Sequence, residues 1–255
     1  MSKPRILFFD IETMAKKIYA WGDYEVNSIE TAQHWYMISF AWRWLGEEKT
    51  HVKALNDYSG YKKGSDNDKK LVADLWRLFD EADVVIAHNG DQFDIRKTNA
   101  RFAKHGMKPP APYQTVDTKK VAKRYFRFDS NKLDSRADYF GIGRKINTGG
   151  FALWLGCERG EKKSWDLMKR YNKWDVELLE KVYLHMLPYM NNHPNMGLLA
   201  GNRKACPCCG SIRVQASGTR ATRTTIMQRY KCADCGAWSQ SPMPRIDAKQ
   251  FPQVR

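Results

Sequence analysis

Two hydrophobic periods alternate along the first 190 residues. Residues 3–13 carry a continuous apolar run, Ile6, Leu7, Phe8 and Phe9, which reads as a buried strand. Residues 35–44 (WYMISFAWRW) are aromatic and β-branched, and residues 50–55 offer a third strand, so an antiparallel meander is expected. The period then changes. Leu71, Val72, Leu75, Trp76 and Phe79 recur at helical spacing over 68–80. A short buried strand follows at 84–87, and a helix opens at Asp94 and stops before Gly106 and the Pro109-Pro110 pair. Val116 ends another short strand, and 118–125 reads as helix. Residues 126–165 are glycine-rich and read as loop, with a helical turn or two near 133–140. A long helix is expected over 164–190, with a break near Tyr171, and residues 191–204 read as a linker. Strands followed by alternating strands and helices predict an α/β layer fold.

Carboxylates interrupt this pattern where apolar residues belong. Asp10 and Glu12 sit at i and i+2 in ILFFDIET, on one face of the first strand. Asp94 sits at a helix start, and Tyr171 and Asp175 are i and i+4 on one helix face. An unpaired charge is costly to bury, and a bound cation is the simplest compensation. An all-oxygen set suits two hard ions, Mg²⁺ or Mn²⁺, which together can drive in-line cleavage of a phosphodiester. Taken singly, each motif has an ordinary reading: a surface pair, a helix cap, a chance spacing.

Taken together, FDIET, Asn89-x3-Phe93-Asp94 and Tyr171-x3-Asp175 resemble the three motifs of the DEDD superfamily of 3′–5′ exonucleases, tyrosine subclass. Over about residues 3–190 the chain is similar to the exonuclease domain of family B DNA polymerases. The histidine subclass would place His where this chain has Arg170. The resemblance implies an RNase H-like fold, a mixed central sheet flanked by helices. It also implies that Asp10, Glu12 and Asp175 hold one metal and Asp10 and Asp94 the other, while Tyr171 orients the attacking water. Asn89 contacts the substrate strand or braces the site in this reading; in the ordinary one it is a turn residue. Asp117 reads as the cap of the next helix, and Trp21 and Tyr24 as base-stacking candidates. The resemblance favours DNA with single-stranded or frayed 3′ ends. An RNA 3′-exonuclease remains open, as does a nucleic-acid-binding adaptor with a dead core, although no carboxylate is missing. The chain holds no recognisable polymerase domain, so any proofreading would act in trans.

Charge sharpens the choice of partner. The chain carries a formal +15, and residues 203–255 hold 10 Lys/Arg against 2 Asp/Glu. A balance this basic points to a polyanion, nucleic acid above all. Replication or repair proteins are further candidate partners. No apolar stretch approaches the ~18–20 residues of a membrane span. A cytoplasmic protein is expected, with its six cysteines as metal ligands or free thiols. Cys206, Cys209, Cys232 and Cys235 form two C-x2-C-G knuckles and resemble a zinc ribbon with one structural Zn²⁺. Cys208 competes for that role, while Cys157 reads as a small buried hydrophobe. Between the knuckles a β-hairpin is expected to present Arg220, Arg223 and Arg229 to nucleic acid, or merely to keep a protein-docking module soluble. Two domains follow, an RNase H-like exonuclease domain over 1–192 and a zinc-ribbon domain over 203–255.

Overall fold

The computed structural model describes residues 3–22, 24 and 27–243. The chain divides into two compact units, one spanning Pro4–Met186 and the other starting at Leu187.

The first unit is built on a five-stranded mixed sheet. Its strands are β1 (Ile6–Met14), β4 (Tyr36–Trp44), β5 (His51–Ala54), β6 (Val84–Ala87) and β7 (Gln114–Asp117), in the order β5-β4-β1-β6-β7. β1 pairs antiparallel with β4 and parallel with β6. It is central, which explains its apolar run: Ile6, Leu7, Phe8 and Phe9 are at most 4% exposed. Each such side chain contributes about 1.5–3 kcal/mol when removed from water. The meander read from the sequence is thus present as β1-β4-β5. A small hairpin, β2 (Lys17–Tyr19) with β3 (Glu30–Gln33), precedes β4 in the chain. It escapes a pattern reading because both strands are short and half exposed.

Helices α1 (Lys69–Asp80), α2 (Asp94–Lys104), α3 (Thr118–Tyr125), α4 (Leu133–Tyr139), α5 (Ala152–Glu158) and α6 (Lys162–Met186) flank the sheet. Asp68, fully buried, ties α1 to the sheet and to α2. Its carboxylate accepts from the Met37 N–H at 2.8 Å and lies 2.6 Å from His105 Nε2, and it also pairs with Arg101. Asp117 caps α3 by accepting from the N–H groups of Lys119 and Lys120, as the sequence suggests. Two local expectations need correction. α5 lies in a stretch read as loop, where Leu153 and Cys157 turn into the core. α6 runs unbroken through Tyr171, because no Gly or Pro falls between Lys162 and Met186. Its buried stripe, Trp165, Met168, Asn172, Asp175, Val176, Leu179 and Val182, follows the helical period. Asn172 and Asp175 are the two polar members of that stripe among these, a position that demands partners.

The second unit contains α7 (Met196–Leu199) and a three-stranded antiparallel sheet of β8 (Val214–Ala221), β9 (Ile226–Cys232) and β10 (Trp238–Pro242), ordered β10-β9-β8. β8 and β9 form the hairpin expected between the knuckles. Residues 191–204 are structured as well. Asn195 caps α7, and the Met196 N–H donates to Pro207 O at 2.8 Å. The Cys208 thiol meets both the Cys206 side chain and Met190 O, the latter at 3.6 Å. The C-terminal cluster of four cysteines fits a zinc ribbon.

Candidate metal centre

β1 delivers Asp10 and Glu12 from the middle of the sheet, opposite Ala41 and Ser39 of β4. A bulge between Glu12 and Thr13 shifts the register just beyond them, the kind of irregularity that re-aims side chains beside a site. α6 brings Asp175 to the same place. One oxygen from each of Asp10, Glu12 and Asp175 lies within 4.8 Å of the others. Asp175 is 2% exposed, and among the described residues its buried Oδ1 has no hydrogen-bond partner of good geometry. Asp94, in the first turn of α2, stands outside this trio. Its carboxylate accepts from the Ile11 and Asp94 N–H groups, yet lies near enough to Asp10 to raise its pKa.

The electrostatics follow from crowding like charges away from water. Burial, then Asp94, Asp175 and Glu12, hold Asp10 well above the usual carboxylate range. Burial and Asp175 push Glu12 up to about 8. Burial carries Asp94 up to about 7 against its two backbone hydrogen bonds. Asp175 is raised too, again by burial, although Lys145 pulls the other way. These are the environments that a bound cation relieves.

Lys145, which the sequence reading missed, approaches from the segment before α5. Its Nζ lies 2.5 Å from Asp175 Oδ2 and 3.2 Å from Tyr171 Oη. Burial opposes the charge on Lys145, but Asp175, Asp10 and Tyr171 outweigh it and raise its pKa. A lone lysine in a glycine-rich stretch of a basic chain carries no spacing signal. Asn172 was missed too, though it lies inside YNKWD. Its Nδ2 donates to Asp10 Oδ2 at 2.7 Å, and its Oδ1 accepts from Ser39 Oγ at 3.0 Å. Lys97 donates to Thr13 Oγ1 at 2.9 Å and senses Asp94 and Glu12. Four carboxylates against two ammoniums leave a formal −2 when all are ionised, so the residues present fit divalent ions.

Tyr171 is partly buried, and burial followed by Asp175 raises its pKa above the phenol range. Asn89 adopts φ 66° in the turn after β6. Its N–H donates to Asp117 Oδ1 at 2.9 Å, and its Oδ1 accepts from Lys119 Nζ at 3.2 Å. Gly90 follows because an added Cβ would sit 2.5 Å from Ala87 Cβ. Trp21 and Tyr24 are 93% and 91% exposed.

In the second unit the Sγ atoms of Cys206, Cys209, Cys232 and Cys235 all lie within 4.8 Å of one another. Cys206 and Cys235 are 3.6 Å apart, as are Cys209 and Cys232. A tetrahedral ion with Zn–S bonds near 2.3 Å implies S···S separations of about 3.8 Å, so the thiol set fits such an ion. Arg220 and Arg229 belong to β8 and β9, while Arg223 lies in the turn between them.

A family model described as the RNase H superfamily matches residues 7–187. No curated protein matches the chain by sequence. Among solved structures, the family B DNA polymerase from the hyperthermophilic archaeon Pyrobaculum calidifontis is similar in fold, with a TM-score of 0.50 at 14% identity. The match covers 88% of this chain and 32% of the polymerase chain. Among the described residues, no helix is long and apolar enough to cross a membrane.

Proposed function

The chain belongs to the RNase H superfamily, and on that footing we propose that it is a metal-dependent 3′–5′ exonuclease acting on single-stranded or frayed ends of DNA. One observation carries the reading: a trio of carboxylates from β1 and α6, with oxygens within 4.8 Å, around a buried Asp175 Oδ1 that has no hydrogen-bond partner of good geometry among the described residues. Asp10, Glu12 and Asp175 would hold one Mg²⁺ or Mn²⁺, and Asp10 with Asp94 a second. When bound, the ions supply Lewis acidity at the attacking water and the departing 3′ oxygen.

The chain's own groups prepare the rest. Tyr171 keeps its proton at neutral pH, since a phenol ordinarily titrates near ~10 and burial only raises it further, so it serves as a hydrogen-bond partner that orients water rather than as a base. Lys145 stays protonated and restrains Asp175 Oδ2. Asn172 fixes Asp10 Oδ2 and is itself fixed by Ser39, a chain of contacts of the kind that keeps ligands in register. Asn89, whose Oδ1 accepts from Lys119 Nζ at the turn, would meet the substrate strand or brace the site. In the second unit, Cys206, Cys209, Cys232 and Cys235 would hold one structural Zn²⁺ and supply folding energy to a small core. Arg220, Arg223 and Arg229 would add phosphate contacts.

Digestion of 5′-labelled single-stranded DNA, duplex DNA and RNA, with Mg²⁺ or Mn²⁺ and with chelator, tests this function. A metal-dependent ladder shortening from the 3′ end is expected, strongest on single-stranded DNA. Immediate release of the labelled 5′ nucleotide would reverse the polarity. A ladder on RNA alone would reassign the substrate, and no cleavage with either metal would overturn the reading.

A further inference from the structure

The second unit holds a cavity of about 670 Å³ on one face of its sheet. The strand register explains its chemistry. Gln240 pairs with Arg229, Trp238 with Lys231 and Arg220 with Met227. Directly paired residues share a face, and so do residues two apart on one strand. Arg220, Arg229, Trp238 and Gln240 therefore project from the same face, and all four line the cavity. Segment 190–195 and the first cysteine knuckle form its other wall, where Asn191 adds an amide. The Cys208–Met190 contact fastens that wall to the knuckle.

Three features narrow the ligand. Among the described residues no Asp or Glu lines the cavity and neither arginine has a carboxylate partner, so its charge suits an anion. Arg229 lies over the Trp238 ring, 5.3 Å from the centroid, which pre-orders a cation beside an aromatic surface. Gly218, at the bulge of β8 with φ +69°, leaves room for this: an added Cβ would come within 3.2 Å of the Arg229 guanidinium. The volume falls within the range of small-ligand sites, about 300–1,000 Å³. Two arginines, an aromatic ring and two side-chain amides together form a set that takes a phosphate, a base face and a base edge.

We propose that this cavity binds one nucleotide unit of single-stranded nucleic acid, with its phosphate at Arg220 and Arg229, its base against Trp238 and its base edge facing Gln240 and Asn191. The proposal rests on the nuclease reading for the identity of the polyanion, and it makes the second unit a nucleotide-reading module rather than a diffuse basic tail. A free mononucleotide offers the same chemistry.

The test compares equal charge losses inside and outside the cavity. The full zinc-loaded chain carrying Asp10→Ala, which keeps the strand intact, is titrated with a labelled single-stranded oligonucleotide. Arg229→Gln and Trp238→Ala are set beside Arg223→Gln, whose arginine does not line the cavity. Arg229→Gln and Trp238→Ala are each expected to weaken binding about tenfold or more, and Arg223→Gln about two- to threefold. Deoxymononucleotide should compete with the strand in the parent and lose that ability in Arg229→Gln, whereas equimolar inorganic phosphate should not compete. Binding of mononucleotide without the strand would keep the cavity and assign it to free nucleotide. Equal losses for Arg229→Gln and Arg223→Gln, with zinc retained in both, would overturn the cavity. Cleavage by the chain with Asp10 intact is scored separately: a chain that binds through the cavity and never cuts refutes the nuclease reading alone.

Discussion

The carboxylate trio and the cysteine quartet are both candidate metal centres, and they are assembled in opposite ways. The four cysteines come from two local knuckles, each fixed by its own tight turn, with sulfurs already 3.6 Å apart in pairs. The trio draws on residues 10, 12 and 175, which meet only after a central strand and a 25-residue helix have packed. Thiols tolerate proximity because they can remain neutral. Carboxylates held together raise one another's pKa. One centre is therefore expected to make its fold, while the other is made by its fold and strains it until ions arrive.

That contrast can be broken most forcefully at Asp10. Asp10→Ala removes an oxygen that would be shared by both ions, so the cleavage rate should fall about a thousandfold or more while the thermal transition of Pro4–Met186 persists. Undiminished cleavage would dissolve the assignment. Cys232→Ser should do the reverse. Zinc content, read by elemental analysis, should drop, and protease should open residues after 187 while the first unit stays resistant. A smaller effect is expected at Tyr171. Tyr171→Phe removes the Oη that Lys145 meets at 3.2 Å but no metal ligand, so single-turnover cleavage should fall about ten- to a hundredfold with Mn²⁺ affinity unchanged. The mildest test is pH. Glu12 titrates from 4.5 unfolded to about 8 folded, and Asp94 from 3.8 to about 7. The folded metal-free protein thus binds more protons across that window, and its stability should decline as pH rises from about 4.5 to 8. Saturating Mg²⁺ should cancel the decline. A metal-free melting temperature that rises over the same window would contradict the crowding.

Legibility from sequence follows the same division. The knuckles are visible because their ligands are neighbours in the chain, and β1 and α6 are visible because their apolar periods are strong. The partners that organise the acidic centre are not. Lys145 reaches Asp175 from a segment with no pattern, and Asn172 looks like one polar residue among many in a long helix until packing places it between Ser39 and Asp10. The β2–β3 hairpin and α5 are short, and tertiary contacts rather than local preference sustain them. The expected break at Tyr171 rested on no helix breaker, and α6 passes straight through it. The wall of the second unit's cavity lies partly in residues read as linker, because polar Asn- and Pro-rich segments look alike whether they are capped and packed or not.

Titration of Mn²⁺ into zinc-loaded protein stripped of other divalent ions, followed by calorimetry and electron paramagnetic resonance and compared with Asp10→Ala, addresses the acidic centre most directly. Two Mn²⁺ per chain, spin-coupled through their proximity, are expected for the parent, with proton release that grows as pH falls toward 6, and loss of the coupled pair in the variant. A parent that takes up no Mn²⁺, or a variant that still binds the same coupled pair, would contradict a metal centre built on Asp10, Glu12 and Asp175.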